Sequence, residues 1–522
     1  MYTPVLAPIA GSLTLSALLA ALPLVLLFVL LGVFRLRAWL AAAISLVASL
    51  LVAVLGYPMP IGPALLAASE GAAFGFFPIL WIVINAIWVY NMTVHTGHFD
   101  VLRRSFARVS DDQRIQGVIV AFSFGALLEA LAGFGTPVAV TSVMLVALGF
   151  QPLKAATVAL VANTAPVAFG ALAVPITTLA TVTGLPLHDL AAMVGRQTPV
   201  LALFVPMALV GIIDGWRGVR ETLPSTIACG VVFAVAQYAT SNFFSAPLTD
   251  IVASLLSALA IVVTVRRRRS KAEATDSRAE VLRAYAPYAI IIAVFALAQV
   301  PVIKDALTSV TVTFNWPGLH LNTVSGKPST LPTFKLDWLD AAGSLIIIAG
   351  LLTMPVIRIR PGAALRTYGG TYRQLATAIL TVMAVLALAY VMNASGQTTT
   401  LGTWMANAGG LFALLSPVLG WLGVAVTGSD TSSNSLFGAL QVTAAQHVGL
   451  SPTLMAAANS SGGVLGKMIS PQNLAIAAGA VGMAGREGDL FRRVFLWSLI
   501  LLAVMCLLVF LQSTPVLGWM VV

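Results

Sequence analysis

Residues 427–435 read TGSDTSSNS and interrupt a long apolar region of the chain. The run LFALLSPVLGWLGVAV precedes this polar stretch at 411–426, and LFGAL follows it at 436–440. Hydroxyls, an amide and a carboxylate at this place need an explanation. Either small residues let two helices approach closely, or the polar groups bind a solute.

The composition of the whole chain indicates that these apolar runs lie in a membrane. Its 522 residues are 59% hydrophobic and 9% charged, whereas soluble domains carry about 25% charged residues. The apolar runs are about 20 residues long, which suits helices that cross a bilayer, whereas barrel strands alternate over about ten residues. We predict an all-α polytopic membrane protein with about 12 transmembrane helices.

Two apolar stretches, 115–150 and 401–448, are interrupted by polar, Gly-rich sequence. Each stretch is either a pair of spans or one re-entrant hairpin. Placing most of the 28 Lys and Arg residues in inward loops predicts that the N- and C-termini both lie outside. Charge does not distinguish hairpins from pairs of spans, because both add an even number of crossings.

The two interrupted stretches resemble each other. Gly133 and Thr136 correspond to Gly428 and Thr431, and Asn163, Gly170 and Pro175 correspond to Asn459, Gly466 and Pro471. The predicted topology gives the spans that follow the two stretches opposite directions, which is the inverted-repeat plan of many secondary transporters. We therefore predict two halves, each with one re-entrant hairpin and one broken helix.

The predicted boundaries divide the chain at a basic cytoplasmic linker, residues 266–284. The N-terminal half, 1–265, contains the hairpin 115–150 and the broken helix 154–183. The C-terminal half, 285–522, contains an outside loop at 304–337 that carries a predicted β-hairpin, the hairpin 401–448 and the broken helix 452–483.

Irregular backbone at membrane depth is tolerated where it is buried in protein or lines a wet cavity. Hairpin tips and broken helices also expose helix N-termini, which favour anions. The two tips are therefore predicted to lie close together and to bind a small anionic solute. The candidate binding residues are Gly133, Gly135, Thr136, Asn163, Thr164, Ser429, Thr431, Ser432, Ser433, Asn434, Asn459, Ser460 and Lys467.

Two carboxylates lie within the predicted hairpins, Glu129 and Asp430. A carboxylate at membrane depth is expensive unless it is protonated or paired, so one or both are candidate proton carriers. Lys467 could pair with a substrate carboxylate or with Asp430. Arg196 is a secondary candidate, although its side chain could also extend to the membrane interface.

Several long motifs resemble those of the bacterial L-lactate permease family: LEALAGFGTPVAVTSVMLVALGF, NTAPVAFGALAVPI, VGRQTP, TGSDTSSNSLFGALQ and AANSSGGVLGKMISPQNLAIA. The resemblance covers essentially the full chain. It implies a symporter of the bacterial cytoplasmic membrane that imports L-lactate, and often D-lactate and glycolate, with protons. The Ser-Ser-Asn-Ser tip also resembles those of sodium-coupled dicarboxylate carriers, which keeps sodium open as the coupling ion.

Other functions are disfavoured by the sequence. It contains no HExxH, GxSxG or Cys-His array, and its nearest approach to a phosphate loop lacks the first Gly and the final Ser or Thr. We therefore predict no enzyme activity, no cofactor, no metal site and no nucleic-acid partner. A passive anion channel is the other alternative, disfavoured by Glu129 and Asp430, and a homodimer is one open form of assembly.

Overall fold

The computed structural model describes residues 2–34, 36–107, 109–131, 133, 135–265, 276–298, 300–324, 326–483 and 486–522. Most of these residues are helical, which confirms the predicted polytopic helical class. The one sheet among them is a β-hairpin, formed by β1 (Val312–Asn315) and antiparallel β2 (Thr333–Leu336) within the predicted loop 304–337.

The helices before the linker, in chain order, are α1 (Leu13–Phe28), α2 (Ala38–Leu51), α3 (Ile61–Phe74), α4 (Trp81–His95), α5 (His98–Ala107), α6 (Gln113–Val118), α7 (Gly125–Leu131), α8 (Thr136–Ala147), α9 (Pro152–Ala162), α10 (Gly170–Thr183), α11 (Leu187–Val194), α12 (Thr198–Phe243) and α13 (Thr249–Val265). Wider π-helical turns continue four of them, at Val29–Val33, Val52–Gly56, Gly75–Leu80 and Ile119–Phe124.

The helices after the linker are α14 (Arg278–Ala298), α15 (Pro301–Thr308), α16 (Ala342–Val356), α17 (Pro361–Ser395), α18 (Gln397–Met405), α19 (Phe412–Thr427), α20 (Asp430–Val448), α21 (Pro452–Gly466), α22 (Pro471–Ala480) and α23 (Glu487–Gln512). Short 3-10 turns lie at Val167–Phe169, Ala406–Leu411, Lys467–Ile469 and Gly518–Met520. Residues 266–275 of the predicted linker 266–284 fall outside the described residues, and α14 begins at Arg278 within the predicted range.

The predicted count of about 12 spans is not reached among the described residues. Nine helical segments are long and apolar enough to cross a membrane, or ten if the bent pair α9–α10 counts as one span. The long segment Leu187–Phe243 is not a single straight crossing, because its backbone leaves helical geometry at Gly215 and the Thr198 hydroxyl donates to the Gln237 side chain at 3.2 Å. Three further apolar helices, α8, α13 and α16, have 10–17 residues.

The first interrupted stretch folds back on itself. Residues 113–131 run in one direction and α8 returns beside them, so that the Gln113 side-chain amide reaches the Leu148 carbonyl at 3.3 Å. Beside this base, the Arg114 guanidinium lies 2.9 Å from Asp112 and holds the pKa of that carboxyl below its usual range. The hairpin therefore has a fixed base and a tip near Gly133 and Gly135.

The second interrupted stretch also folds back, with its turn at Gly428 and Ser429. Helices α19 and α20 are antiparallel, and the Ser416 hydroxyl of one donates to the Gln441 side chain of the other at 2.8 Å. Within the predicted range 401–448, the backbone kinks at Gly409, and the arm that leads to the tip, α19, begins at Phe412. Residues 397–405 instead form α18, which packs between α1 and α20.

Each hairpin is followed by a broken helix. Helices α9 and α10 are bent by 66° around the break at 163–169. Helices α21 and α22 are separated by the 3-10 turn Lys467–Ile469 and by Ser470. The second hairpin packs on α10, and the first packs on α22, so each tip lies against the broken helix of the other half. The inverted-repeat relation between the halves stays a prediction.

Candidate functional site

The two hairpin tips and the two helix breaks surround one cavity of about 960 Å³. Glu129 and Gly133 line it from the first hairpin, and residues 428–432 line it from the second. Gly170, Pro175 and Lys467 line it from the breaks. The cavity lining also includes residues 377, 378, 381 and 382 of α17, Arg37 and Glu487. The structure thus places polar and charged groups from both halves around a space larger than a small carboxylic acid.

A buried ion pair joins the two halves at the cavity wall. The Lys467 Nζ atom lies 2.6 Å from Glu129 Oε1, and the two residues are only 7% and 2% exposed. Asn163 donates from Nδ2 to the other carboxylate oxygen, Oε2, at 2.9 Å. Lys467 therefore pairs with Glu129 and not with Asp430, the partner considered from sequence. Because a buried charge needs a partner, each member of this pair depends on the other.

The second hairpin tip contains the N-terminus of α20, which lines the cavity. The Ser429 hydroxyl accepts the N–H of Ser432 and caps α20, which starts at Asp430. Such a capped N-terminus presents backbone N–H groups and a partial positive charge to an anion. Thr431 and Ser432, in the first turn of α20, line the cavity with these groups.

Asp430 is held by neutral donors. The Ser460 hydroxyl donates to Asp430 Oδ2 at 2.6 Å, and the Asn434 amide lies 3.4 Å from the same oxygen. The other oxygen, Oδ1, has no hydrogen-bond partner within the described part of the chain. The Asn434 amide also donates to the Pro175 carbonyl at 3.1 Å, which ties this tip to the first helix break.

The first tip is built from backbone rather than from hydroxyls. Gly133 and Gly135 adopt positive φ angles of 50° and 81°, which glycine tolerates without a steric penalty. A Cβ atom on Gly170 would lie 2.7 Å from Glu129 Oε1. Because Gly170 has no side chain, the Glu129 carboxylate can lie directly beside the break.

The predicted site residues fall into three groups. Gly133, Ser429, Thr431, Ser432 and Lys467 line the cavity together with Glu129 and Asp430. Behind this wall, Asn163, Asn434 and Ser460 donate hydrogen bonds to it, whereas Ser433 donates to the Gly420 carbonyl and Asn459 donates to the Asn434 side chain.

The third group does not line the cavity. The Thr164 hydroxyl donates back to the Val161 carbonyl, and Gly135 packs against Ile476 of α22, next to Thr136 at the start of α8.

Arg196 is also in this third group. Its guanidinium donates to the Asn242 side chain at 2.9 Å and to the Met520 carbonyl at 3.0 Å. These contacts connect the start of the long segment 198–243 to the C-terminal residues. Arg196 thus makes contacts at a helix end and is not among the residues that line the cavity.

The residues that the sequence analysis missed follow a recognisable signal. Gln472 and Asn473 line the cavity directly after Ser470 and Pro471, and Ser followed by Pro marks a capped helix start. Glu70 and Asp250 are two further buried carboxylates that do not line the cavity. Glu70 stands alone in the apolar run AASEGAAF, which is itself a signal for an intramembrane charge.

Among the residues that the structure describes, no three His, Cys, Asp or Glu side chains are grouped so that they could hold a metal ion. The cavity offers hydroxyls, amides, one buried cation and two buried carboxylates. Such a set of groups can bind a small anion and exchange a proton.

The sequence comparison identifies the family of this chain. The family model described as L-lactate permease matches residues 16–516. The chain belongs to the L-lactate permease family. The L-lactate permease of Salmonella typhimurium is 42% identical over 541 aligned residues, which cover 98% of each chain. The L-lactate permease of Bacillus subtilis is 40% identical over 565 aligned residues, and these cover 100% of each chain.

A relative with a different name matches equally well. The glycolate permease of Escherichia coli is 41% identical over 558 residues, covering 100% of this chain and 99% of the relative. As a member of the L-lactate permease family, the chain is a multi-pass membrane transporter and not an enzyme.

Proposed function

We propose that this permease imports lactate and glycolate across the cytoplasmic membrane together with a proton. The names of the relatives support this substrate class, since L-lactate permeases and a glycolate permease match the chain with similar identity. The observation that supports proton coupling is the buried pair between Lys467 and Glu129 at the cavity wall.

The proposed coupling is a competition for Lys467. Lys467 is the only buried Lys or Arg among the described residues. A substrate carboxylate that binds Lys467 takes the place of Glu129. Glu129 then loses its cation and takes up a proton, because an unpaired buried carboxylate is strongly disfavoured. One proton enters with each carboxylate, so the charges balance.

This competition also excludes leak of the substrate anion. The empty site contains an ionised Glu129 paired with Lys467, and the loaded site contains a neutral Glu129 and Lys467 paired with substrate. Each state leaves no unpaired charge at these positions. Substrate without a proton would leave Glu129 charged and unpaired, and that state would have to be carried through the membrane at a large energetic cost.

Asp430 has a different place in this proposal. Its partners are Ser460 and Asn434, so its protonation is not tied directly to Lys467. Asp430 holds the second tip in position through these two side chains. We therefore assign the coupling proton to Glu129, and we expect Asp430 to affect the rate of transport more than its coupling.

The proposed direction rests on the predicted topology. Arg37 and Glu487 line the cavity, and both lie at helix ends that the charge distribution assigns to the cytoplasmic side. In this orientation the cavity opens inward, and both termini lie outside.

Transport in proteoliposomes tests the coupling. We expect Glu129→Gln to exchange external for internal lactate but to lose accumulation driven by an inward proton gradient. We expect Asp430→Asn to retain accumulation at a reduced rate. Lactate should also raise the melting temperature of Glu129→Gln more than that of the wild type, because the substrate supplies the anion that Lys467 lacks.

Three results would contradict the proposal. Accumulation that requires sodium and does not depend on the proton gradient would show that sodium, and not the proton, is the coupling ion. Equilibration without accumulation in the wild type would indicate a passive channel. Normal accumulation by Glu129→Gln, with loss only in Asp430→Asn, would move the proton to Asp430.

A further inference from the structure

Gln472 occupies an unusual position in the cavity. It is the second residue of α22, after the capping residue Ser470 and after Pro471. Its side chain lies against Gly428 of the second hairpin tip, since a Cβ atom on Gly428 would lie 2.6 Å from Gln472 Oε1. Gln472 is exposed and lines the cavity. Within the described part of the chain, its amide has no hydrogen-bond partner.

The neighbouring polar groups are already engaged or are suited to an anion. Lys467, at the start of the same break, carries the positive charge that a carboxylate needs. Thr431 and Ser432 lie in the first turn of α20, where the helix N-terminus favours negative charge. These groups form the part of the cavity where the substrate carboxylate binds.

The Gln472 amide matches a different chemical group. It offers an N–H donor and a carbonyl acceptor, both neutral and both uncommitted. A hydroxyl group also donates one hydrogen bond and accepts others. In lactate and glycolate, the hydroxyl stands on the carbon next to the carboxylate, so a residue that binds it must lie beside the anion site. Lys467 begins the short break between α21 and α22, and Gln472 is the second residue of α22, directly after that break.

We propose that Gln472 binds the 2-hydroxyl group of the substrate and thereby selects 2-hydroxy acids over simple carboxylic acids. This inference rests on the proposed function, since it assumes that the carboxylate binds at Lys467 and the α20 N-terminus. A site built to bind a hydroxyl disfavours an analogue without one, because its polar group is then left unpaired.

The test compares two substrates that differ only in the hydroxyl. Initial rates of L-lactate and propionate uptake are measured in proteoliposomes that contain the wild type or Gln472→Met, which keeps a similar length without the amide. We expect kcat/KM for lactate to fall about ten-fold, the effect of losing one good hydrogen bond, and kcat/KM for propionate to stay within about two-fold. The lactate preference should therefore fall by nearly the same factor as lactate uptake.

Gln472→Leu repeats the measurement with a branched apolar side chain, and Thr377→Val serves as the matched control. Thr377 lines the cavity from α17 and not from the second helix break, so its loss of a hydroxyl should leave the lactate-to-propionate ratio unchanged. Unchanged propionate uptake also shows that the variants are folded.

Equal loss of lactate and propionate uptake in both Gln472 variants would overturn the inference, since Gln472 would then serve the carboxylate or the packing of the tip. An unchanged ratio with unchanged rates would overturn it as well. Failure of the proposed function is distinguishable, because the wild type itself would then not take up lactate.

Discussion

The two helix breaks beside the cavity free the backbone from helical geometry in different ways. The second break, between α21 and α22, uses a 3-10 turn, the capping hydroxyl of Ser470 and a proline at the first helical position. The first break, which begins after α9, continues into the start of α10, where Ala171, Leu172 and Ala173 all have positive φ angles, from 44° to 62°. The second break uses common local chemistry, whereas the first uses strained backbone.

Left-handed conformations cost non-glycine residues about 1–2 kcal/mol each, so the surrounding structure must hold the first break in place. All three residues are buried, and Gly133 of the first tip lies against Ala171. Strain of this kind persists where packing over-determines it and often occurs at functional sites. The difference between the breaks indicates that the first depends on tertiary contacts and the second on local ones.

The largest expected effect concerns the ion pair that connects the second break to the first hairpin. Lys467→Met should lower the free energy of unfolding by about 3–5 kcal/mol, because it leaves Glu129 buried and unpaired. Glu129→Leu should have an effect of similar size through the unpaired Lys467. The double variant should recover most of the loss, which thermal unfolding of the purified protein in detergent measures.

Asp430→Asn provides the control for this cycle. If the pair is as the structure has it, Asp430→Asn and Lys467→Met should destabilise the protein additively. Recovery of stability in the double variant of Asp430 and Lys467, and none in the double variant of Glu129 and Lys467, would mean that Lys467 depends on Asp430 and not on Glu129.

The next largest effect concerns Gly170 and Gly466, the two glycines at corresponding positions of the breaks. A Cβ atom on Gly466 would lie 2.3 Å from the Trp421 carbonyl oxygen, whereas one on Gly170 meets the flexible side chain of Glu129. Gly466→Ala should therefore destabilise the protein by about 1–3 kcal/mol, the range for overpacking. Gly170→Ala should cost less stability but should reduce proton-driven accumulation, because it displaces Glu129.

Melting temperature and lactate accumulation, measured on both glycine variants, test this contrast. Equal losses of stability with intact accumulation in Gly170→Ala would remove the special relation between Gly170 and Glu129.

A smaller effect is expected at the cap of the second break. Ser470→Ala should lower the free energy of unfolding by about 1 kcal/mol, the usual contribution of a helix cap, since the Ser470 hydroxyl accepts the Asn473 N–H. Ser470→Asp retains an acceptor at the cap and should keep most of the stability. Equal melting temperatures for wild type and Ser470→Ala would show that local chemistry does not hold this break.

The smallest effect is expected at the first break. Ala173→Gly should raise the free energy of unfolding by up to about 1 kcal/mol, because glycine adopts a φ of 62° without strain. The matched control is Ala456→Gly in the regular helix α21, which should lower it by about 1 kcal/mol. Destabilisation by both changes would mean that Ala173 is not strained.

These contrasts also explain what could be predicted from the sequence. Apolar runs predicted the helical membrane class, and polar residues within those runs pointed to Asp430, Glu129 and Lys467. Such signals are local in sequence. The second break follows cap rules that can be recognised in Ser470 and Pro471, although Gln472 beside them was missed, because an exposed Gln in the first turn of a helix is common.

Other features depend on contacts that no local pattern records. The partner of Lys467 was sought in the same half, at Asp430, but it lies 338 residues away at Glu129. The left-handed run 171–173 has no sequence signature, since Ala-Leu-Ala favours ordinary helix.

The distance along the chain between Glu129 and Lys467 has a consequence for biosynthesis. At about 5–20 residues per second, roughly 17 to 70 s pass between the synthesis of the two residues. During this interval the first hairpin has no cation for its carboxylate. Its tip therefore reaches its final position in the membrane only after the second helix break has been made. A chain truncated before residue 467 should consequently be recognised and degraded as unfinished, even though the first hairpin is complete.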